Sequence, residues 1–365
     1  MKKFCMPSDF KHETIEAYTS LNDAHEGSKV VETYGQLAPD TLFGSCRISR
    51  QLPPVDRNRL EKYVDFGRDK GIEFNYVVNA TCMSNDDLTP EGFNKLKAFF
   101  RMLQDIGVSS ITAALPTIME IAAYTAPSLN IKASTVCQIN SPLKAEWYSK
   151  MGVKRLVLDE DIYRRFDLLK NIRKVYDGSL EIIVNSFCTL DCPNKMFDYN
   201  MFSHSHEARE IYRYYASRCR RRHTGAENYM KLNWIRPEDI HHYSDIGIEY
   251  FKVQGRTNVF SGDPARAAAY YMDESYDGDL VALLELFSPK RPLTIGGCYI
   301  DNKKLDGFWE RFVNHPEACT KVCGSCGWCR SFAEASISSG DRAFLEILYE
   351  ADKLVPDEFP GCLEV

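Results

Sequence analysis

Short apolar runs alternate with amphipathic stretches along most of the chain. The clearest run is LEIIV at 180–184, and similar runs lie at 3–6, 29–34, 72–78, 111–115, 131–136, 155–158 and 249–253. Apolar runs of roughly four to eight residues between polar turns predict buried strands. Eight such strands, mostly with helices between them, favour an α/β fold of the (β/α)8 TIM-like barrel type. An open doubly wound sheet is the alternative, because strand order is not written in local sequence.

The helical segments carry start signals of their own. Thr89–Pro90–Glu91 combines an N-cap threonine with a proline in the first helical turn, and Ser141–Pro142 repeats that arrangement. No glycine-rich phosphate-binding sequence follows any of the predicted strands. The sequence therefore gives no support for a nucleotide cofactor.

The pattern changes after residue 262. Helical stretches at 265–272, 280–286 and 341–353 and an amphipathic stretch at 301–312 follow without a clear strand between them. We therefore predict a barrel domain at 1–262 and a mainly helical, cysteine-rich C-terminal appendage at 263–365. In the appendage the four cysteines of CTKVCGSCGWC lie before the last predicted helix.

Composition narrows the class of protein. The chain has 365 residues, 45 basic and 51 acidic side chains, and a formal net charge of −6. No apolar run approaches the roughly 20 residues that span a bilayer, and the N-terminal MKKFCMPSDF lacks the apolar core of a secretory signal. We therefore predict a cytoplasmic protein without a membrane span. The net charge disfavours general nucleic-acid binding, and the basic segment at 218–223 is the local exception.

The first set of candidate metal ligands follows the strand at 180–184. Cys188 and Cys192 lie just beyond its end, where α/β proteins carry their chemistry, and Cys219 comes 27 residues after Cys192. Thiolates bind soft metals and iron–sulfur clusters. Buried, inert cysteines are the alternative. Among the candidates for a fourth ligand we favour Cys46 or Cys298.

The second set gives the stronger local signal. Cys319, Cys323, Cys326 and Cys329 lie within eleven residues, with glycines at 324 and 327 that allow tight folding around a metal. This compact spacing is nearer to ferredoxin-like cluster sequences than to zinc knuckles. We predict one or two 4Fe–4S clusters in the protein, with zinc as the alternative at this C-terminal set.

Polar side chains lie at the ends of most predicted strands, and in a barrel they would surround one pocket. Lysine and arginine among them suit a small carboxylate-bearing molecule, although loop polarity and helix capping explain such residues equally well. This polar set comprises Asn79, Ser134, Asn140, Asp159, Asn185, Lys252 and Arg256, with Arg236 nearby. The catalytic candidates are Asn79, Asn185, His204, Lys252 and Arg256. Local spacing suggests no Ser-His-Asp or Cys-His pair.

Several segments together resemble the collagenase-like peptidase family U32. They are FNYVVNATC, NIKASTVCQIN, KMGVKRLVLDED, LEIIVNSFCTLDCP and WIRPEDIHHYSDIGIEYFKVQGR, spread over about residues 29–260. Cys46 in LFGSCRIS resembles an early cluster cysteine of a ubiquinone-pathway member. The resemblance implies a barrel and a four-cysteine 4Fe–4S site that includes Cys188, Cys192 and Cys219. The family's usual spacing around these cysteines is not reproduced here.

The resemblance also orders the functional hypotheses. Several members of the family are iron–sulfur proteins of oxygen-independent hydroxylation that modify ubiquinone precursors or RNA bases, some with prephenate as oxygen donor. We therefore expect an iron–sulfur enzyme that modifies a small molecule or, with less support from the charge, an RNA base. A metal-dependent peptidase or hydrolase is the alternative. A non-catalytic iron–sulfur subunit that binds a protein partner as a heterodimer is the second alternative.

Overall fold

A computed structural model describes residues 1–37, 44–45, 55–204, 226–255, 258–289 and 298–338 of the chain. Eight parallel strands close into a barrel within these ranges, and each contains or overlaps one of the eight apolar runs. In spatial order they are β1 (Lys2–Pro7), β10 (Tyr250–Lys252), β7 (Ser179–Ile183), β6 (Arg155–Val157), β5 (Asn130–Ala133), β4 (Ser110–Ala113), β3 (Glu73–Val78) and β2 (Ser28–Gly35). The predicted (β/α)8 barrel is confirmed.

Helices surround the barrel and continue into the C-terminal part. The first seven are α1 (His12–Ala24), α2 (Arg57–Asp69), α3 (Pro90–Asp105), α4 (Pro116–Thr125), α5 (Pro142–Lys150), α6 (Phe166–Val175) and α7 (Lys195–Ser203). The later ones are α8 (Ala226–Tyr229), α9 (His241–Ser244), α10 (Pro264–Met272), α11 (Leu280–Leu284), α12 (Glu310–Asn314), α13 (Cys323–Cys326) and α14 (Trp328–Ser336). None of the described helices is long and apolar enough to cross a membrane.

The two predicted helix starts are confirmed in detail. The Thr89 hydroxyl accepts the Gly92 N–H at 3.0 Å, and Pro90 occupies the first helical turn. The Ser141 hydroxyl likewise accepts the Lys144 N–H at 3.2 Å at the start of α5. Each cap satisfies a backbone donor that the helix itself leaves unpaired.

A two-stranded antiparallel sheet, called the hairpin below although a long segment joins its strands, lies at the C-terminal ends of the barrel strands. Immediately after β7, strand β8 (Asn185–Thr189) pairs antiparallel with β9 (Leu232–Trp234). The chain therefore passes from the predicted strand β7 directly into a second strand, β8, which the sequence did not predict. Cys188 lies in β8 of this hairpin. The segment between its two strands includes α7 and the residues 205–225, which are outside the described part.

The C-terminal part packs directly on the barrel. Helix α10 lies against β1, β2 and α1, where the eighth helix of a barrel belongs, and the Tyr271 hydroxyl donates to the Ile235 carbonyl at 2.9 Å. The division between residues 262 and 263 stays a prediction. The amphipathic stretch 301–312 divides into two short elements. It forms a short 3-10 helix (Asn302–Leu305) and α12, separated at Gly307 with a φ of 84°. The predicted helix at 341–353 lies outside the described residues.

Aromatic side chains hold the hairpin and the C-terminal part together. Trp234 stacks on Phe308 with ring centroids 5.5 Å apart, and Trp309 meets Tyr243 edge-on at 6.0 Å. Arg236, which we expected beside a ligand pocket, is buried here instead. Its guanidinium binds Asp239 at 2.6 Å and Asp306 at 2.9 Å. Because these protein partners occupy it, Arg236 has a structural role.

Candidate functional site

The four C-terminal cysteines line one cavity of about 380 Å³. Cys323 and Cys326 are the first and last residues of the short helix α13, and Cys329 lies in the first turn of α14. Gly327 joins the two helices with a φ of 63°, a left-handed conformation that glycine adopts without strain. The glycine after Cys326 thus lets the chain turn sharply, and thiols on both sides of the turn reach the same cavity.

The cavity is strongly cationic. Five basic side chains line it, whereas Glu227 is the one carboxylate in the lining. The basic residues are Arg164, Lys231, Arg311, Lys321 and Arg330. Nearby positive charge favours thiolates over thiols, and thiolates are the form that binds metals. Burial raises the pKa of the Cys329 thiol, and Arg164 opposes that rise.

The donor set fits a soft metal centre, since four sulfurs face one cavity. A tetrahedral zinc site with Zn–S bonds of about 2.3 Å would place its sulfurs about 3.8 Å apart. Among the described residues, no three of these cysteine sulfurs lie within 4.8 Å of one another. The residues that would hold such a metal centre are Cys319, Cys323, Cys326 and Cys329.

The first cysteine set lies beside this cavity without lining it. Cys188 and Cys192 are both partly buried, Cys188 near the end of β8 and Cys192 on the loop that follows it. Between them Leu190 lines the cavity, and Asp191 binds Lys321 of the second set at 2.5 Å. The two predicted sets are therefore neighbours across one loop. Cys219 and Cys46 lie outside the described residues, while Cys298 is buried in the apolar core.

The segment 159–164, which follows β6, contacts both cysteine sets. Asp161 accepts the Asp191 N–H at 3.1 Å and binds the Lys195 ammonium at 2.8 Å. The pKa of Lys195 lies above its ordinary value, because neighbouring Glu160, Cys188 and Asp161 together outweigh its burial. At the other end of the segment, Arg164 reaches Cys329. One segment after a barrel strand thus supports the loop of the first set and the cavity of the second.

The barrel interior is unusually charged. The Lys132 ammonium binds Glu32 at 2.6 Å and Glu181 at 2.8 Å, and Arg155 binds the same two carboxylates at 3.0 and 3.2 Å. The four side chains close a neutral network in a position that barrels usually fill with branched apolar residues. Burial alone would raise the pKa of Glu181, but Lys132 and Arg155 outweigh burial and hold it below the ordinary value.

Cys5, Glu32 and Glu181 form the one group of three metal-capable side chains found in the described part of the chain. Their carboxylates are already neutralised by Lys132 and Arg155. A metal ion would have to displace a buried cation from these carboxylates. Burial and the neighbouring carboxylates also raise the pKa of the Cys5 thiol well above its usual range. We therefore interpret this group as part of the ionic network and not as a metal site.

The network predicts a specific response to acid. The pKa of Glu181 is lower in the folded chain than its ordinary value of 4.5, so the stabilisation it provides is complete above that pH and is lost as the pH falls below it. We expect the free energy of unfolding, from urea titrations at pH 7, 4 and 3, to fall less steeply for E181Q than for the wild type. Equal slopes would contradict this role of Glu181.

Lys252 is the fifth charge inside the barrel, at the C-terminal end of β10. The ion pairs of Glu32 and Glu181 with Lys132 and Arg155 do not include it, and its ammonium lies 4.0 Å from the centre of the Tyr34 ring. Burial lowers the pKa of Lys252 to about 8; the negative charge of Glu181 opposes this shift, and the positive charge of Lys132 adds to it. Gln36 is buried with no hydrogen-bond partner for its side-chain amide in the described part. Within the described ranges, the barrel mouth therefore contains a cation outside any ion pair and an unpaired amide.

The other predicted pocket residues are mostly tied to protein groups. The Asn79 amide donates to the Ser134 hydroxyl at 3.0 Å, and Asn140 donates to Asp159 at 3.2 Å. Asn185 links separate segments of the chain. Its amide donates to the carbonyls of Gln254 and Leu284, and its side-chain oxygen accepts the Gln254 N–H. Its contacts thus join the start of β8 to the residue Gln254 beyond β10 and to the end of α11.

Three further candidates have less structural context. His204 caps the C-terminal end of α7 and donates its N–H to the Met201 carbonyl at 3.3 Å. Arg256 and the basic segment at 218–223 lie outside the described residues. Their predicted roles stay predictions.

Sequence reasoning missed the charged interior and Arg164. A signal for the interior was present, because Glu32, Lys132 and Glu181 each interrupt an otherwise apolar strand. Charged residues in a buried strand are costly unless they are paired, so several of them on neighbouring strands indicate a network. No such signal marks Arg164, whose contact with Cys329 joins residues 165 positions apart.

Comparisons with known proteins agree with this architecture. The family model of Peptidase family U32 matches residues 45–272, more than half of the chain. The uncharacterized protease MJ1657 of Methanocaldococcus jannaschii is 30% identical over 281 residues, which cover 76% of this chain and 81% of that protein. The solved structure of the U32 peptidase Mk0906 superposes with a TM-score of 0.51 at 21% identity, covering 72% of this chain and 94% of that one. The chain belongs to peptidase family U32.

Proposed function

We propose that this protein is an iron–sulfur enzyme that carries out an oxygen-independent hydroxylation or a related modification. The observation that supports this most is the cationic cavity lined by Cys319, Cys323, Cys326 and Cys329. A 4Fe–4S cluster held by these thiolates would supply electron transfer next to the barrel mouth. The chain's own residues provide the ligands, the surrounding positive charge and a neighbouring polar pocket.

The barrel mouth supports a small carboxylate-bearing molecule as substrate or co-substrate. Lys252 supplies a buried cation that the ion pairs of the barrel network do not include, and Gln36 supplies an amide that can both donate and accept. A buried unpaired ammonium is costly, and an anionic ligand would offset that cost. In this role Lys252 binds and orients the ligand's carboxylate. A substrate that is an RNA base is less well supported, because the chain carries a net charge of −6.

The pKa of Lys252 makes this binding dependent on pH. Since that pKa is lowered to about 8, the ammonium loses its proton as the pH rises through that value. We expect prephenate, used as the probe carboxylate, to bind up to about tenfold more weakly at pH 9 than at pH 7, as measured by calorimetry. K252M should remove most of the binding at both pH values.

K144M is the matched control for that experiment. Lys144 is a partly buried lysine whose ammonium already donates to the Gln138 carbonyl at 2.6 Å. The K144M variant should bind the probe as the wild type does. Unchanged binding by K252M would remove Lys252 from the ligand site.

Anaerobic purification followed by iron and sulfide quantification tests the cofactor directly. A brown protein with on the order of four irons and four sulfides per cluster is the expected result. A colourless anaerobic preparation without iron would exclude the proposed function. Cluster content in the protein purified alone also bears on the non-catalytic subunit alternative, because a cluster that forms only with a partner favours that alternative.

A peptidase is the second candidate, favoured by the family name and by the description of the relative as a protease. It predicts peptide turnover that a chelator or a thiol reagent abolishes. The buried trio of Cys5, Glu32 and Glu181 would be a poor catalytic metal site for it, because Lys132 and Arg155 neutralise both carboxylates.

A further inference from the structure

Arg164 differs from the other cations around the cysteine cavity. It follows the 3-10 helix Glu160–Ile162, and its side chain is buried with 4% of its surface exposed. One terminal nitrogen, Nη1, donates to the Cys329 sulfur at 3.8 Å. The other, Nη2, donates to the backbone carbonyls of Met230 and Leu232. The guanidinium therefore joins the barrel, the hairpin and the cysteine set.

Aromatic packing fixes this guanidinium in place. Its central carbon lies 5.0 Å from the ring centre of Phe312, 5.4 Å from that of Phe308 and 5.7 Å from that of Trp309. Each contact is of the length at which a cation is attracted to an aromatic face. Arg164 thus presents its N–H group to Cys329 from a rigid, water-poor position, where a hydrogen bond is electrostatically stronger than in water.

We propose that Arg164 is a positioning residue that holds Cys329 and sets the reduction potential of the cysteine site. This inference rests on the proposed function, since it assigns a role toward the cluster. Hydrogen bonds to the sulfurs and nearby charge are among the main determinants of cluster potential. Reduction adds negative charge to the site, and a fixed guanidinium stabilises the reduced form more than the oxidised form.

Another cation of the cavity, Arg311, provides a matched control. Arg311 lines the same cavity, but its guanidinium lies over the Trp328 ring at 5.1 Å and is only half-buried. Its charge is therefore near the site without the hydrogen bond to sulfur that Arg164 makes. A comparison of Arg164 with Arg311 separates the specific contact from a general effect of positive charge.

The test is an anaerobic redox titration of the full-length protein, followed by visible absorbance and electron paramagnetic resonance. We expect R164Q to favour the oxidised state at least tenfold more than the wild type, which for one electron lowers the midpoint potential by about 59 mV. R164K keeps the charge and should recover part of the difference. R311Q should change the potential much less than R164Q. Thermal unfolding of each variant verifies that it is folded.

Several results would overturn this role. Equal potentials in the wild type and R164Q, or equal shifts in R164Q and R311Q, would show that the Cys329 contact does not set the potential. If R164Q does not fold, a folded R164K with the wild-type potential would overturn the role in the same way, because lysine cannot reproduce the planar fork. A wild-type protein without iron would instead exclude the proposed function, and the role of Arg164 with it.

Discussion

Replacement of Lys132 by methionine is expected to destabilise the protein by about 3–5 kcal/mol, the usual cost of leaving buried charges without their partner. Lys132 binds both Glu32 and Glu181, and all three side chains are at most 1% exposed. Methionine has a similar length and no charge, so the variant tests the charge more than the packing. The free energy of unfolding from urea titration at pH 7 is the measurement.

K95M is the control for this experiment. Lys95 binds Glu91 at the same N–O distance of 2.6 Å, but both side chains are largely exposed on α3. Exposed ion pairs contribute little to stability, so K95M should leave the unfolding midpoint nearly unchanged. Similar losses in the two variants would mean that the buried network does not stabilise the barrel.

Replacement of Cys319, Cys323 and Cys326 by serine is expected to abolish cluster binding at the C-terminal set. The serine hydroxyl is a poor ligand for iron, and three of the four sulfurs in the cavity would be lost. We expect iron and sulfide to fall to background if this set holds the only cluster, and by half if the protein holds two. The barrel should stay folded, as judged by circular dichroism.

Two further variants complete that experiment. A triple variant of Cys188, Cys192 and Cys219 should keep the iron of the C-terminal set, because Cys188 and Cys192 lie beside the cavity and do not line it. C137S is the matched control, since Cys137 lies against the carbonyls of Ala113 and Ala114 and does not line the cavity. If the C319S/C323S/C326S variant kept the full iron content, the C-terminal set would not be the cluster site.

The barrel could be predicted from sequence because each of its strands is a short apolar run bounded by polar turns. The same rule failed just after β7, where Asn185–Thr189 is too polar to be recognised as a strand and forms only against β9. The stretch 301–312 was predicted only as amphipathic, and its division into two elements follows from the turn at Gly307. The local sequence pattern thus identified the strands that are buried along their own length, and it missed the strand that forms only by pairing with a distant segment.

The candidate site was predictable to a similar degree. The four C-terminal cysteines could be assigned to one site because their spacing alone brings them together. That Cys188 and Cys192 lie beside them could not be predicted, since contacts such as the Asp191–Lys321 ion pair join segments that are distant in the sequence. The polar side chains of Asn185 and Arg236 were expected to contact a ligand, but they bind other groups of the protein instead. Sequence shows which polar groups exist, whereas the fold decides which of them are left for a ligand.

The central claim is that the four C-terminal cysteines hold an iron–sulfur cluster. Anomalous X-ray scattering at the iron edge, from crystals grown without oxygen, tests this most directly because it locates the metal. We predict iron density within the cavity, in contact with Cys319, Cys323, Cys326 and Cys329. Anomalous signal from zinc in that cavity, or iron bound to Cys188 and Cys192 with none in the cavity, would contradict the claim.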